Sequence, residues 1–157
     1  MTARTAQHST FAIERRYPAA PARVFAAWAD PVAKRRWFKG PKSPRDEGYE
    51  LDFRVGGRER LRVEGSDDKL HAYECEYRDI VPGERIVYCY DMHIAEARIS
   101  VSLATVTFEA DGKGTLMTFT EQAVFLDGYD DSGSRERGTN VLLDQLAASL
   151  AHDAPSV

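Results

Sequence analysis

Between residues 49 and 125 the chain alternates apolar and polar residues, interrupted only by short runs of glycine, proline and aspartate. A period of two marks a strand with one buried face. Tyr49, Leu51, Phe53 and Val55 share one parity, and Leu61 and Val63 resume it after a turn at Gly56-Gly57. Strands over 70–80 and 85–92 flank Pro82-Gly83, a pair that suits the centre of a type II turn. The next strand, 99–109, switches parity from Ile99, Val101 and Leu103 to Ala104, Val106 and Phe108. A β-bulge near Leu103-Ala104 would reconcile the two sets. Asp111 to Gly114 turns the chain into a last strand over 115–125. Six strands in consecutive hairpins form a meander, and its apolar face needs a cover.

The cover follows in the sequence. From about 134 to 151, Gly138, Val141, Leu142, Gln145, Leu146, Ser149 and Leu150 fall on one face of a helix. Upstream, Phe11, Ile13, Arg15 and Tyr17 alternate as a strand that Pro18 ends. Pro21 then suits a helix's first turn, with Val24, Phe25 and Trp28 at helical spacing. Asp30 can cap a second short helix that starts at Pro31 and ends near Trp37-Phe38, before a loop marked by Gly40, Pro41 and Pro44. The expected fold class is α+β: a curved antiparallel sheet wrapped around a long C-terminal helix, with two short helices after the first strand. Residues 1–10 read as a flexible N-terminus, 11–151 as a single domain and 152–157 as a frayed tail.

The charge balance, 21 basic against 25 acidic residues, offers no positive field for a nucleic acid. No apolar run approaches the ~20 residues of a membrane span, and the first ten residues lack a signal-peptide core. A cytoplasmic location is the expectation, with no membrane partner. Cys75 and Cys89 are too few for a disulfide framework. His8, His71, His93 and His152 show no metal-ligand spacing, so neither a metal nor another cofactor is expected.

Several segments carry a family resemblance: Ile13-Glu14-Arg15, Pro21 to Phe25, Trp28 to Pro31, and Trp37. Further on come Asp52 to Gly57, Ile80 to Val87, Val106 to Glu109 with Gly112, Gly114 and Thr115, and Gly138 ahead of Leu142, Leu143 and Leu146. In these the chain resembles the START-like (SRPBCC) superfamily, and within it the family named for the heat-shock-protein-90 ATPase activator homologue. The resemblance spans roughly residues 11 to 150 and implies the helix-grip fold. It says little about function, because members bind or transform many unrelated apolar molecules.

The hairpin at Pro82-Gly83 locates a candidate cavity. A two-residue loop sets Tyr77 opposite Tyr88, Cys75 opposite Tyr90 and Tyr73 opposite Met92, all on one side of the sheet. The other side carries mostly charged residues, so the tyrosines face the helix. A dry core would favour Leu, Ile and Val, since each buried phenol needs a partner. The candidate ligand-binding set is Trp37, Phe53, Tyr73, Tyr77, Tyr88, Tyr90, Met92, Met117, Phe119 and Glu121. Glu121 is the candidate catalytic residue: a carboxylate among aromatics has a raised pKa and can act as a general base. Its competing reading is a salt bridge to Arg15 or Arg58, or exposure at the strand end.

Three functions compete. The first is a carrier or sensor that binds a small apolar or aromatic molecule. The second is an enzyme of the cyclase, aromatase or hydrolase kind found in the superfamily. The third, a protein-interaction role like that of the chaperone activator, ranks last. An exposed edge strand also offers a surface for a homodimer.

Overall fold

The computed structural model describes residues 4–39, 48–65 and 67–152. The expected loop at Gly40, Pro41 and Pro44 and the tail at 153–157 lie outside these residues, as do 1–3. Seven antiparallel strands form one sheet in the order β1-β7-β6-β5-β4-β3-β2. They are β1 (Ala6–Tyr17), β2 (Glu50–Leu51), β3 (Arg58–Glu64), β4 (Leu70–Val81), β5 (Arg85–Ile94), β6 (Ala97–Asp111) and β7 (Gly114–Leu126). Helices α1 (Pro21–Ala29) and α2 (Pro31–Trp37) follow β1, and α3 (Ser132–His152) closes the chain. This is the helix-grip arrangement. Neither α3 nor any other described helix is long and apolar enough to cross a membrane.

Local chemistry explains the boundaries. Pro21 and Pro31 open the two short helices, where a missing N–H costs nothing. Asp30 ends the first and caps the second, its carboxylate accepting from the Val32 and Ala33 amides at 2.8 and 3.4 Å. β1 begins at Ala6 rather than at 11, because Ala6 to Thr10 pair with Leu126 to Gln122.

The central hairpin reaches its expected pairing by another route. Tyr77 faces Tyr88, Cys75 faces Tyr90 and Tyr73 faces Met92. The loop, however, holds three residues, since β4 ends at Val81 and β5 begins at Arg85. Glu84 donates to the Val81 carbonyl at 2.9 Å across Gly83, whose φ of +75° suits a type II turn. An odd loop would turn one strand's faces over. Arg78 prevents this: it is the extra residue between the pairs Tyr77–Tyr88 and Asp79–Val87. The two offsets cancel, and the tyrosines stay on one face.

Two expectations are corrected. The bulge in β6 is not at Leu103-Ala104. Its register with β7 runs unbroken from Ser100–Phe125 to Asp111–Gly114, and the irregularity falls where β5 steps from Met92 to His93, opposite Ile99. Val101 and Leu103 therefore lie on the outer face, 39% exposed each, while Ser100 and Ser102 point inward and are buried. The second correction concerns α3. Its buried residues are Thr139, Leu143, Leu146 and Leu150, whereas Val141 is exposed and Leu142 half-buried.

The rotation of α3 has a cause. Side-chain bonds fasten it along one flank: Arg15 to Asp144 and Asn140, the Tyr17 hydroxyl to the Leu143 carbonyl, and Gln145 to the Trp37 carbonyl. These reach β1 and α2, so the helix leans toward that side of the grip. The opposite flank, over β4 and β5, is where space remains.

Candidate functional site

A cavity of about 460 Å³ lies under α3 on that flank. Its size is within the range of small-molecule sites. Of the expected site residues, Trp37, Tyr73, Tyr88, Tyr90, Met92, Phe119 and Glu121 form part of its wall. Trp28, Phe38 and Leu61 add apolar surface, and α3 contributes Gly138, Val141 and Leu142 toward the opening.

Phe53, Tyr77 and Met117 stand away from the wall. Tyr77 and Met117 occupy the concave face as their parity requires, and Phe53, beyond the end of β2, packs over it, but α1 covers that end of the sheet. Phe25 of α1 meets Phe53 and Phe108 edge-on at 5.7 and 5.4 Å. Met117 is the partner of Phe108 and is fully buried below it, and Tyr77 packs against Phe53 at 4.9 Å. Parity assigned the face correctly; it could not tell which end of that face was already filled.

Two fully buried carboxylates organise the polar groups. Glu121 on β7 accepts from the Tyr90 hydroxyl at 2.7 Å and from Ser102 at 3.0 Å. Its cationic partner is neither Arg15 nor Arg58 but Arg135, in the first turns of α3, with Nη1 at 3.5 Å from Oε2. Arg135 also donates to the Tyr90 hydroxyl at 3.0 Å, to Ser100 at 2.7 Å and to Asp130 at 3.2 Å. Burial raises the Glu121 pKa, opposed by the bond from Tyr90, the charge of Arg135 and the bond from Ser102. Burial also raises the Tyr90 pKa, and the neighbouring Glu121 charge adds to it. Burial pulls Arg135 down, but Tyr90 and Glu121 outweigh it, so its pKa rises. The guanidinium remains charged.

The second carboxylate, Glu59 on β3, was not among the expected site residues. It accepts from Lys34 at 3.1 Å, Tyr77 at 2.9 Å, Tyr73 at 3.4 Å and Tyr49 at 2.8 Å. Lys34 is itself buried, with its ammonium 4.6 to 5.3 Å from the ring centres of Phe38, Trp28 and Trp37. A signal for Glu59 was present in the sequence: it shares the parity of Leu61 and Val63, between outward arginines. Ser100 and Ser102 were hidden by the misplaced bulge. Arg135 lies one helical turn before Thr139, on the buried side of α3.

These bonds change what the tyrosines can do. Tyr73 and Tyr77 are turned to Glu59, and Tyr90 to Glu121. The Tyr88 hydroxyl makes no hydrogen bond among the described residues. Its pKa lies well above the ordinary phenol value, chiefly through burial and then through Tyr90 nearby. The described residues contain no cluster of three or more His, Cys, Asp or Glu arranged for a metal ion.

A meander gripping a C-terminal helix over an apolar cavity defines a START-like protein. The chain belongs to the family of Activator of Hsp90 ATPase homolog 1-like proteins, whose model matches residues 18–151. Solved structures agree. An uncharacterized protein from Rhizobium leguminosarum is 52% identical, with a TM-score of 0.92 over 97% of this chain and 100% of that one. The Mll3558 protein from Rhizobium loti is 43% identical, with a TM-score of 0.85 over 93% and 99%. Protein CV1439 from Chromobacterium violaceum is 26% identical, with a TM-score of 0.71 over 88% and 94%. No curated protein matches the chain in sequence.

Proposed function

We propose that this protein binds a small, predominantly aromatic molecule in the cavity under α3, as a carrier or sensor. The observation that carries this reading is a cavity of about 460 Å³ lined mainly by aromatic and aliphatic side chains, with Lys39, His71, Glu121, Asp130, Ser134, Arg135 and Thr139 as its polar members. Such a wall gives a ligand a large apolar contact with rings held by their neighbours. The polar groups beside it, Glu121, Tyr90 and Arg135, are bonded to one another, so they are held in place before any ligand arrives.

The test is native mass spectrometry on freshly purified protein, followed by extraction of bound molecules. We expect a co-purifying aromatic compound that raises the thermal midpoint when added back unchanged. A ligand-free protein whose midpoint no compound in an aromatic panel moves would overturn the reading.

One observation favours an enzyme as the second reading. Glu121 has a raised pKa, bonds Tyr90 and borders the cavity, which suits it to move a proton on a bound substrate. An extracted compound that the protein converts, with turnover lost and fold kept in Glu121→Gln, would establish it.

A further inference from the structure

Three tyrosines line the cavity, and two of their hydroxyls are spent. Tyr73 donates to Glu59, and Tyr90 donates to Glu121 while accepting from Arg135. The Tyr88 hydroxyl bonds nothing among the described residues, yet it is not sealed off. The one side-chain polar atom there that is both unbonded and closed off is the Trp28 Nε1. Tyr88 is only 5% exposed and lines the cavity, so the surface its hydroxyl keeps is cavity surface. A buried phenol without a partner is costly, and this one calls for an acceptor from outside the protein's own atoms.

The other polar groups of the wall are engaged or stand in water. Arg135 holds Glu121 and Asp130. The Thr139 hydroxyl proton goes to the Arg135 carbonyl at 2.9 Å, so its oxygen can still accept but has nothing to donate. His71 Nε2 lies 3.1 Å from both carboxylate oxygens of Asp67. Lys39 and Ser134 are exposed, so water serves them with or without a ligand. Position adds a direction. The inward residues of β5 run from the fully buried Ile86 through Tyr88 and Tyr90 to the half-buried Met92. Tyr88 therefore stands at the inner end of the wall, with Met92 about 13 Å away toward the opening.

We infer that the ligand carries a neutral carbonyl that accepts from the Tyr88 hydroxyl, and that it binds oxygen-first with its apolar end toward the opening. This rests on the cavity reading above and names the polar group and the orientation that the cavity selects. A carbonyl brings no proton of its own to the inner end, whereas a ligand hydroxyl there would need an acceptor in turn. An anion is disfavoured. Burial first, then Tyr90, Cys75, Glu121 and Glu59, hold the Tyr88 pKa well above the ordinary phenol value. The phenol keeps its proton to donate, and the two carboxylates would repel a third.

The probes are para-acetylbiphenyl and para-isopropenylbiphenyl, which share one shape and differ in a carbonyl oxygen against a methylene, and the anion para-phenylbenzoate. Their affinities are measured on the whole chain, and the carbonyl stretch of the bound ketone is read by infrared spectroscopy. The ketone is expected to bind about three- to tenfold tighter than the alkene, the effect of one net hydrogen bond, and the anion weakest. Tyr88→Phe deletes a hydroxyl that bonds nothing among the described residues, so the fold should persist, the preference should vanish and the stretch should rise. Equal binding of ketone and alkene, with the stretch where a hydrocarbon solvent puts it, would overturn the inference and leave the cavity reading standing. A preference that survives in Tyr88→Phe, or an anion that binds tighter than the ketone, would also overturn it. Failure of all three probes to bind would remove the cavity reading and this inference together. If Tyr88→Phe does not fold, the stretch in the unaltered protein against that in hydrocarbon solvent decides the matter.

Discussion

Glu59 and Glu121 lie on one concave face, four strands apart in the sheet, and neither is exposed to solvent. Around Glu59 the protein is filled: one ammonium and three phenols bond the carboxylate, and the rings of Trp28, Trp37 and Phe38 enclose that ammonium. Around Glu121 the protein supplies a guanidinium, one phenol and two small serines, and then stops, so that the carboxylate borders the cavity. The difference lies in which elements cover each pole. Lys34 comes from α2, which packs directly on its neighbours. Arg135 comes from the first turn of α3 and reaches over the sheet to the Tyr90 hydroxyl of β5 and Ser100 of β6. The filled pole holds the short helices to the sheet, and the open pole borders the space for a ligand.

Cutting the ion pair at the filled pole should have the largest effect. Lys34→Ala leaves Glu59 buried without its cation and is expected to cost about 3–5 kcal/mol, measured by urea denaturation. Replacing both partners, as Lys34→Met with Glu59→Gln, should recover much of that loss. If the single variant costs under ~1 kcal/mol, the two poles are not different in kind.

The open pole should reveal itself through pH. Burial raises the Glu121 pKa, so the folded chain keeps a proton that the unfolded chain gives up near the ordinary glutamate value. Its contribution is full below the unfolded pKa and is lost as pH rises through the folded one. Stability should therefore decline with pH just above about 4.3, the ordinary glutamate value. Glu121→Gln should remove that part of the slope, which denaturation midpoints across the pH series would show. Parallel slopes in the two chains would place the titration elsewhere.

A smaller effect is expected at Gly138, on the cavity side of α3. A Cβ built there meets nothing within 4 Å. Gly138→Ala should raise stability by about 0.5–1 kcal/mol through helix propensity and leave the fold unchanged. A loss in the thermal midpoint would mean that the open flank is closed in solution.

The mildest contrast concerns the two thiols. Cys75 is buried near the filled pole, and its pKa is pushed up to about 12 by burial and then by the charge of Glu59. Cys89 faces the outer side and is half-buried. Iodoacetamide should modify Cys89 in the native protein and reach Cys75 only in denaturant, as mass spectrometry of the intact chain would record. Early labelling of Cys75 would show that the filled pole opens readily.

Much of this was legible in the residues. Alternation between 61 and 125 named five strands, and Asp30-Pro31 divided the two short helices; between 49 and 55 it foretold a strand of which only Glu50–Leu51 forms, since Asp52 to Gly57 turn the chain through local bonds such as Arg54 to Asp52 and Gly57 to Arg54. The facing of Tyr73, Tyr77, Tyr88 and Tyr90 also followed from parity, although the loop expected had one residue fewer and the bulge at Arg78 was unseen. Bulges are where parity arguments fail. The one at Ile99 put Ser100 and Ser102 inside and Val101 and Leu103 outside, against their apolar character. Arg135 and Lys34 escaped notice because a basic residue on a helix usually marks its solvated side.

By itself the sequence determined the element order, the antiparallel meander and the face that carries the aromatic residues. Those follow from periodicity and turn chemistry, which act over a few residues at a time. Only the tertiary structure decided that Phe53, Tyr77 and Met117 lie under α1 while Tyr88, Tyr90 and Phe119 border open space. It alone paired Glu121 with Arg135 and Glu59 with Lys34, and left the Trp28 indole without an acceptor. Each of these depends on how a helix leans across a curved sheet, and that lean is set by contacts between residues more than a hundred positions apart, such as Arg15 with Asp144 and Trp37 with Gln145.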